Sequence, residues 1–551
     1  MKHLKNTKPV YFLYLIILLS FTNCKKEQKS IDKETTVTEK EVLPNIIWFV
    51  AEDQSPDFFP MYGDNTISLP NIESLSSNGV VFNNAYAPVP VCAPARSAII
   101  TGMYPTTLGT HNMRTYTPWN TDNQKQIGIH SYSPIVPEGT VMFTQLMRQK
   151  GYYCSNNLKE DYNFEKLKSA WDDSGSDAHW RNRKEGQPFF AVFNYEVCHE
   201  SGIWKEGKSE LLVSPDSVPV PPYFPDTKII RHDLAVNYSN LKRMDGQIGK
   251  LIQQLKDDGL YENSIIFFYG DHGGPFPRHK RSLYETGLKV PMVVKFPKNR
   301  KEKNTDNRFL SFIDLAPSML SLAGIKPPKI MQGKALLGKY KVDKSPEYLF
   351  TTSDRFDGYY DRIRAVRSSR YKYIKNFNTE ISNALPIKYR KQIPMMQEME
   401  KMYAAGKLNT VQSQWFKTPK PSEELYDLQE DPQELNNLAS NTKLQDTLMH
   451  LRTVLVNWTK ETNDLGGIPE KELMAKWLID GQQPKLNPLE IVENDSKVTL
   501  KSELNDAIIL WKQPKDSLWN IYSKPLASDI SFEAKAERIG YIDSPVLEYS
   551  K

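Results

Sequence analysis

The stretch Cys92-Ala93-Pro94-Ala95-Arg96, leading into Ser97-Ala98-Ile99-Ile100-Thr101-Gly102, puts a nucleophile-type side chain four residues before a cation. Proline is favoured in a first helical turn, and Ala95 to Ile100 can continue as helix, so the pattern predicts Cys92 at a helix N-terminus. Free backbone N–H groups and the positive end of the helix dipole favour an anion there. Arg96, one turn along on the same face, carries a planar fork suited to an oxyanion. Glu52-Asp53 and Asp271-His272 each follow an apolar run directly. Carboxylates so placed suit a hard divalent cation. His199 stands in a comparable position, where a lone histidine is either structural or a proton donor to substrate.

These side chains need a scaffold that brings them to one level. Pro44 to Ala51, Pro188 to Tyr195 and Ser264 to Gly270 are near-continuously apolar, as strands buried on both faces of a parallel sheet are. Open α/β sheets place ligands just beyond the C-terminal ends of such strands. Val80 to Phe82 reads as a further strand. Val141 to Lys150, closed by Gly151, and Leu234 to Gly259 read as helices, and the proline-rich Val218 to Pro225 as an extended loop. The expected class is α/β, with three strand ends each delivering a carboxylate or an imidazole to the place where the cysteine helix begins.

The Cys-x-Pro-x-Arg pattern with its following Thr-Gly resembles the activation motif of type I sulfatases, in which serine is commoner at the place of Ala95. The resemblance implies an alkaline-phosphatase-like mixed sheet sandwiched by helices. It also implies that Cys92 is oxidised to formylglycine, whose hydrate attacks sulfur and then expels sulfate. The family's calcium ligands fall on Glu52, Asp53, Asp271 and His272, together with a formylglycine oxygen; Glu52 departs from the aspartate usual there. Gly102-Met103-Tyr104-Pro105 and Gly109 continue the pattern, and His111 and Arg114 lie beyond it in reach of substrate. Lys159 matches the family lysine beside the aldehyde, while Asp161 stands where the family has a histidine, so that Asp161 or His111 takes that part. His199 and Lys280 match residues that hold sulfate. Lys280 lies four residues before Tyr284 of Tyr284-Glu285-Thr286-Gly287-Leu288-Lys289-Val290-Pro291. Phe309 to Gly324 matches the helix that follows in the family. Glu424-Leu425-Tyr426-Asp427-Leu428 matches the opening of its C-terminal subdomain, and Pro275-Phe276-Pro277 and Trp458 to Asp464 look like heparan N-sulfatases.

The chain has 551 residues and a formal net charge of +5. That length implies several domains, and that charge, with no basic stripe, gives no reason to expect nucleic acid as a partner. Residues 1–24 read as a bacterial lipoprotein leader, with a basic flank, a short apolar run and Cys24 as the lipidated residue, and residues 25–43 as a charged tether. This implies export to the periplasm or outer membrane and a lipid anchor. The expected divisions are a catalytic domain at 44–380, a C-terminal α+β subdomain at 381–470 and a small β-sandwich at 487–551, whose Trp511 and Trp519 are either core or sugar platforms. Cys154 and Cys198 are either bonded or buried and reduced. The implied partners are a sulfated glycan and a formylglycine-generating or anaerobic sulfatase-maturing enzyme. Two rivals stand beside this reading: a phosphatase or phosphodiesterase on the same scaffold, and a glycan-binding lipoprotein in which Cys92 is never converted.

Overall fold

A computed structural model describes residues 43–116, 127–298 and 304–551. The expected leader with Cys24, and the tether apart from Leu43, lie outside the described residues. Strand β1 (Asn45–Ala51) forms the middle of the main sheet. Its side chains alternate between two cores. Ile47, Phe49 and Ala51 enter one, while Ile46, Trp48 and Val50 enter the other. A strand buried on both faces has no solvent side, which is why it reads as unbroken apolar sequence.

Eight strands join in the order β5-β4-β6-β1-β7-β8-β2-β9. They are β2 (Val80–Phe82), β4 (Tyr153–Asn157), β5 (Asp173–Ser174), β6 (Phe189–Tyr195), β7 (Ser264–Gly270), β8 (Met292–Lys295) and β9 (Thr305–Asp306) around β1. A short parallel pair, β3 (Ala85–Tyr86) with β10 (Leu310–Ser311), lies beside this sheet. Both neighbours of β1 run parallel to it, and Ala51 pairs with Tyr195 of β6 and with Gly270 of β7. The three strands therefore end at one level. Strand β8 runs antiparallel to β7 and to β2, so the sheet is mixed. Helices Pro70–Ser77 and Lys228–Asp257 cover one face; Cys92–Thr101, Phe143–Gln149 and Leu315–Leu322 cover the other.

The long helix starts six residues before the expected Leu234, because Thr227 caps it by accepting from the Ile230 N–H. The helix expected from Phe309 begins only at Leu315. Residues before it form β10 and a tight turn, Phe312–Asp314, in which Asp314 accepts from the Ser311 and Lys334 backbone N–H groups.

The smaller sheet is antiparallel: β11 (Leu349–Phe356), β12 (Tyr359–Arg367), β13 (Tyr371–Asn376) and β14 (Glu423–Asp427), packed on helix Gln445–Glu461. The division expected at residue 380 does not follow this sheet. Three of its four strands precede that point, and Glu424-Leu425-Tyr426-Asp427 is its last strand rather than its opening. The segment 377–422 between β13 and β14 separates strands that pair in space, and such pairing leaves no local sequence signal.

At the C-terminal end, β15 (Glu490–Asn494), β16 (Lys497–Lys501) and β19 (Leu526–Ala527) form one antiparallel sheet. A second contains β17 (Ile508–Lys512), β18 (Asn520–Ile521), β20 (Phe532–Glu537) and β21 (Leu547–Tyr549). They share a core of Val498, Leu500, Phe532 and Ala534, against which Trp511 packs. The Trp519 ring lies 5.3 Å from the Lys512 ammonium and 5.4 Å from that of Lys535. Arg538 and Glu537 tie this module to Val136 and Ser169. Cys154 and Cys198 are buried free thiols. No described helix is long and apolar enough to cross a membrane.

Helix Glu470–Trp477 fixes the loop that enters the site. Glu470 accepts from Arg355 at 2.6 and 2.8 Å, with both groups buried. Arg355 in turn holds the loop through its backbone: its carbonyl accepts from Met113 N–H, and its N–H donates to the Asn112 side chain. Trp477 crowds Gly109, where a Cβ would stand 2.4 Å from the indole. Removing one partner of a buried ion pair leaves the other uncompensated. Glu470→Ala is therefore expected to lower stability by about 3–5 kcal/mol, read by denaturant unfolding, whereas Glu472→Ala on the exposed face of the same helix leaves it within about 0.5 kcal/mol.

Candidate active site

Cys92 opens helix Cys92–Thr101 after an extended Val91, and Gly102 closes it in the left-handed conformation at φ 69°. This is the physical reason for Thr-Gly at the end of the motif. The Cys92 side chain is fully buried. Its Sγ lies 3.3 Å from His272 Nε2 and 3.9 Å from Asp53 Oδ1. Asp53 and Asp271 come from the ends of β1 and β7. Asp271 N–H donates to the Ala51 carbonyl, and Asp53 N–H donates to Asp271 Oδ1 at 2.9 Å. Asp53 sits at φ 54°, a conformation aspartate tolerates better than most residues and one found where function fixes the backbone.

Asp53, Cys92, Asp271 and His272 each offer one ligand atom to a group whose members all lie within 4.8 Å of one another. His272 Nδ1–H donates to the Gly273 carbonyl at 2.9 Å, which aims Nε2 into the group. In the ion-free protein burial pushes His272 down, but Asp271 and Asp53 lift it to about 10. Burial raises Asp271, yet His272 and Arg96 hold it near 2. Two buried carboxylates that draw a proton onto the nearest imidazole fit a divalent cation, which would displace that proton.

A second group lies beside the first. Lys280 Nζ is 2.6 Å from Asp53 Oδ2, 3.0 Å from His199 Nε2 and 3.2 Å from Glu200 Oε1. Glu200 also accepts from both terminal nitrogens of Arg281, and its N–H donates to Asp53 Oδ2 at 2.7 Å. The ammonium thus occupies the centre of a group of two carboxylates and an imidazole.

Glu52, expected among the metal ligands, stands outside the ligand group. Its Oε2 accepts from Lys159 at 2.7 Å, and its Oε1 lies 3.6 Å from Arg96. Two buried cations flanking Cys92 need a counter-charge, and the longer glutamate arm supplies it. Arg96 donates to Asp271 Oδ2 at 3.0 Å and to Asn194 of β6 at 2.7 Å. Burial pushes the Cys92 thiol up, but Lys159 and Lys280 outweigh it and bring it down to about 6.

Neither candidate for the family histidine's part touches Cys92. Asp161 turns instead to Arg114, 3.9 Å away, and both residues hold left-handed backbones at φ 52° and 55°. Burial raises Asp161, but Arg114 and Lys159 keep it below the usual carboxylate range. His111 is buried near Asp354 and lines neither groove. One groove of about 350 Å³ reaches Cys92 and Lys280, and another of about 830 Å³ reaches Lys159 and Glu52. Arg114, His199 and Tyr389 line both. The sequence reading missed Glu200, Arg281 and Tyr389. The first two adjoin His199 and Lys280 and carry charge, a signal available in hindsight. Tyr389 arrives from the segment between β13 and β14 and carries no local signal.

The family model described as Sulfatase matches residues 44–180 and 153–325, and that for the C-terminal region of N-sulphoglucosamine sulphohydrolase matches residues 270–418. The chain belongs to the sulfatase family. Among its relatives, an ulvan-active sulfatase of Formosa agariphila is 39% identical, over 98% of this chain and 97% of that protein. The human N-sulphoglucosamine sulphohydrolase is 23% identical, over 73% and 87%. A solved structure of a protein in complex with its substrate, D-glucosamine-2-N,6-O-disulfate, superposes with a TM-score of 0.55 at 17% identity, over 78% of this chain and 100% of that one. A 2-O GAG sulfatase gives 0.55 at 18%, over 77% and 93%. These two show a shared fold.

A lowered thiol pKa means the thiolate accumulates above about 6 rather than above about 8.5. In ion-free protein made without a maturing enzyme, iodoacetamide is expected to label Cys92 with a midpoint near pH 6. Lys159→Met shifts that midpoint upward, while Cys154 and Cys198, whose thiols burial pushes up, stay unlabelled. Peptide mass spectrometry across pH reads all three.

Proposed function

We propose that this sulfatase removes sulfate from a sulfated polysaccharide, using formylglycine made from Cys92 as nucleophile and one calcium ion held by Asp53, Asp271 and His272. The observation that carries the reading is the position of Cys92. It lies at a buried helix start, 3.3 Å from an imidazole nitrogen aimed into a ligand group, with Lys159 and Lys280 as the cations that lower its pKa. Calcium, when bound, supplies positive charge that polarises the sulfuryl group and favours an ionised nucleophile. Formylglycine supplies an aldehyde carbon able to carry one hydroxyl that attacks sulfur and another that releases sulfate.

The chain's own residues do the rest. Lys280, oriented by Asp53 Oδ2, and His199 meet the sulfate oxygens where charge builds. Arg96 and Lys159, steadied by Glu52, hold the residue at position 92 and balance its charge. Arg114 and Tyr389, shared by both grooves, contact the sugar. Ulvan is the first substrate to try, supported by the 39% identical relative that is ulvan-active. N-sulfated glucosamine is the second, supported by the match to the N-sulphoglucosamine sulphohydrolase C-terminal model. We also propose that residues 1–24 direct export and that Cys24 is lipidated, placing the enzyme at the periplasm or outer membrane, where it meets polymer after modification by a maturing enzyme.

A two-metal phosphodiesterase fits the site less well. The second carboxylate and imidazole group already holds the Lys280 ammonium, so one of the two cations is built into the chain. The test is coexpression with a maturing enzyme. The Cys92 peptide should carry an aldehyde by mass spectrometry, and the protein should release sulfate from ulvan or an N-sulfated oligosaccharide. Cys92→Ala should abolish release, and Lys280→Ala should lower kcat by about 10²–10³-fold. A Cys92 peptide that stays a thiol in protein that still releases sulfate would overturn the reading.

A further inference from the structure

The small antiparallel sheet and helix Gln445–Glu461 enclose a cavity of about 540 Å³ that shares no lining residue with the two grooves above the nucleophile. Its chemistry is specific. The Arg362 guanidinium carbon lies over the Phe377 ring, 4.2 Å from the centroid. Gly467 packs against the same head group, where a Cβ would stand 3.2–3.3 Å from the terminal nitrogens. Asp464 is 3.7 Å away, and the Arg362 Nε–H is buried with no acceptor. The head group is thus fixed in place, while the side chain stays about a third exposed. Lys375 and Arg452 line the same cavity. Its one lining carboxylate, Glu423, is bonded to Arg452 at 2.8 Å and to Tyr373. Phe377 is 48% exposed and Val456 45%, so an apolar face lies beside the cations.

An aromatic face next to a fixed guanidinium and an ammonium suits a pyranose that carries an anionic substituent. The ring's C–H face packs on the part of Phe377 that Arg362 leaves exposed, and a sulfate or carboxylate oxygen accepts from the partly exposed Arg362 guanidinium with Lys375 close by. We propose that this cavity is a second, non-catalytic binding site for the sulfated polysaccharide, which keeps the enzyme on its polymer between turnovers. The polymer's identity rests on the function proposed above; the site itself rests on the partly exposed Arg362, on Lys375 and on Phe377. Bridging a polymer between two sites on one body raises the local concentration of substrate at the catalytic groove.

The test uses the full-length chain carrying Cys92→Ala, so that nothing is turned over. Affinity for ulvan and for heparan sulfate is measured by affinity electrophoresis and calorimetry, with an uncharged polysaccharide and inorganic sulfate as controls. Val456→Glu places a carboxylate in the cavity from an exposed helix position and is expected to weaken binding about tenfold, the size of one lost charge-assisted contact. Val456→Lys should bind as well as the parent or better. Lys407→Gln, an exposed charge absent from the cavity lining, should have no effect. In the Cys92-bearing, matured protein, Val456→Glu should raise KM for polymer and leave turnover of a small aryl sulfate unchanged.

Binding by Val456→Glu equal to that of the parent overturns the proposal. So does equal weakening by Lys407→Gln, which would mark unspecific attraction. Displacement by inorganic sulfate at the polymer's own concentration of charge would reduce the cavity to a free-anion site and likewise overturn it. If the matured protein releases no sulfate while Val456→Glu still weakens binding, the catalytic reading fails and this site stands.

Discussion

The site depends on how one carboxylate divides its two oxygens. Asp53 is fully buried at the end of the central strand, and it cannot stay charged there without partners. Its Oδ1 faces His272 at 3.0 Å and belongs to the candidate ion group; its Oδ2 accepts from Lys280 and from the Glu200 N–H. Burial raises its pKa, but Lys280, His199 and His272 together hold it well below the usual range. This one side chain therefore sets the distance between a replaceable cation on one side and a permanent one on the other. The parallel register of β1, β6 and β7 makes that possible, because it brings Asp53, the start of the His199 turn and Asp271 to one level.

Charge balance explains much of what surrounds it. Five carboxylates, Glu52, Asp53, Asp161, Glu200 and Asp271, stand with five cations, Arg96, Arg114, Lys159, Lys280 and Arg281. The Cys92 thiolate and a protonated His272 add one charge of each sign, so the group as a whole is close to neutral. Exchanging that proton for a divalent ion adds one more charge, and a sulfate ester brings the balance back. On the function proposed above, ion and anionic substrate would balance each other's charge in the site, and burial would strengthen each of these interactions. Glu52 pairs with Lys159 and Arg96 and so supplies counter-charge beside the ligand group.

Much of this was legible in the sequence. The strands ending at Ala51, Tyr195 and Gly270 are near-continuously apolar because both faces are buried, and Glu52-Asp53, His199 and Asp271-His272 follow them within a few residues. Cys92 at a helix start followed from Pro94 and the run Ala95 to Ile100. The parts that were not legible depend on distance through space. Glu52 and Asp53 are adjacent, and no local pattern tells which carboxylate turns to the ion and which to Lys159. His111 fits the motif order, yet the Arg355–Glu470 contact fixes its loop so that the ring is buried toward Asp354. Segment 377–422 brings Tyr389 into both grooves and separates β14 from the strands it pairs with, and neither fact leaves a trace in periodicity.

The central claim is that one divalent ion shares Asp53 with a lysine that serves as the second cation. The most direct measurement is metal stoichiometry by native mass spectrometry of the matured protein titrated with calcium. The account predicts one ion per chain in the parent and in Glu52→Gln, and none in Asp53→Asn or Asp271→Asn at the same concentration. Two ions per chain in the parent, or one ion retained after loss of the Asp53 charge but lost with Glu52, would contradict it.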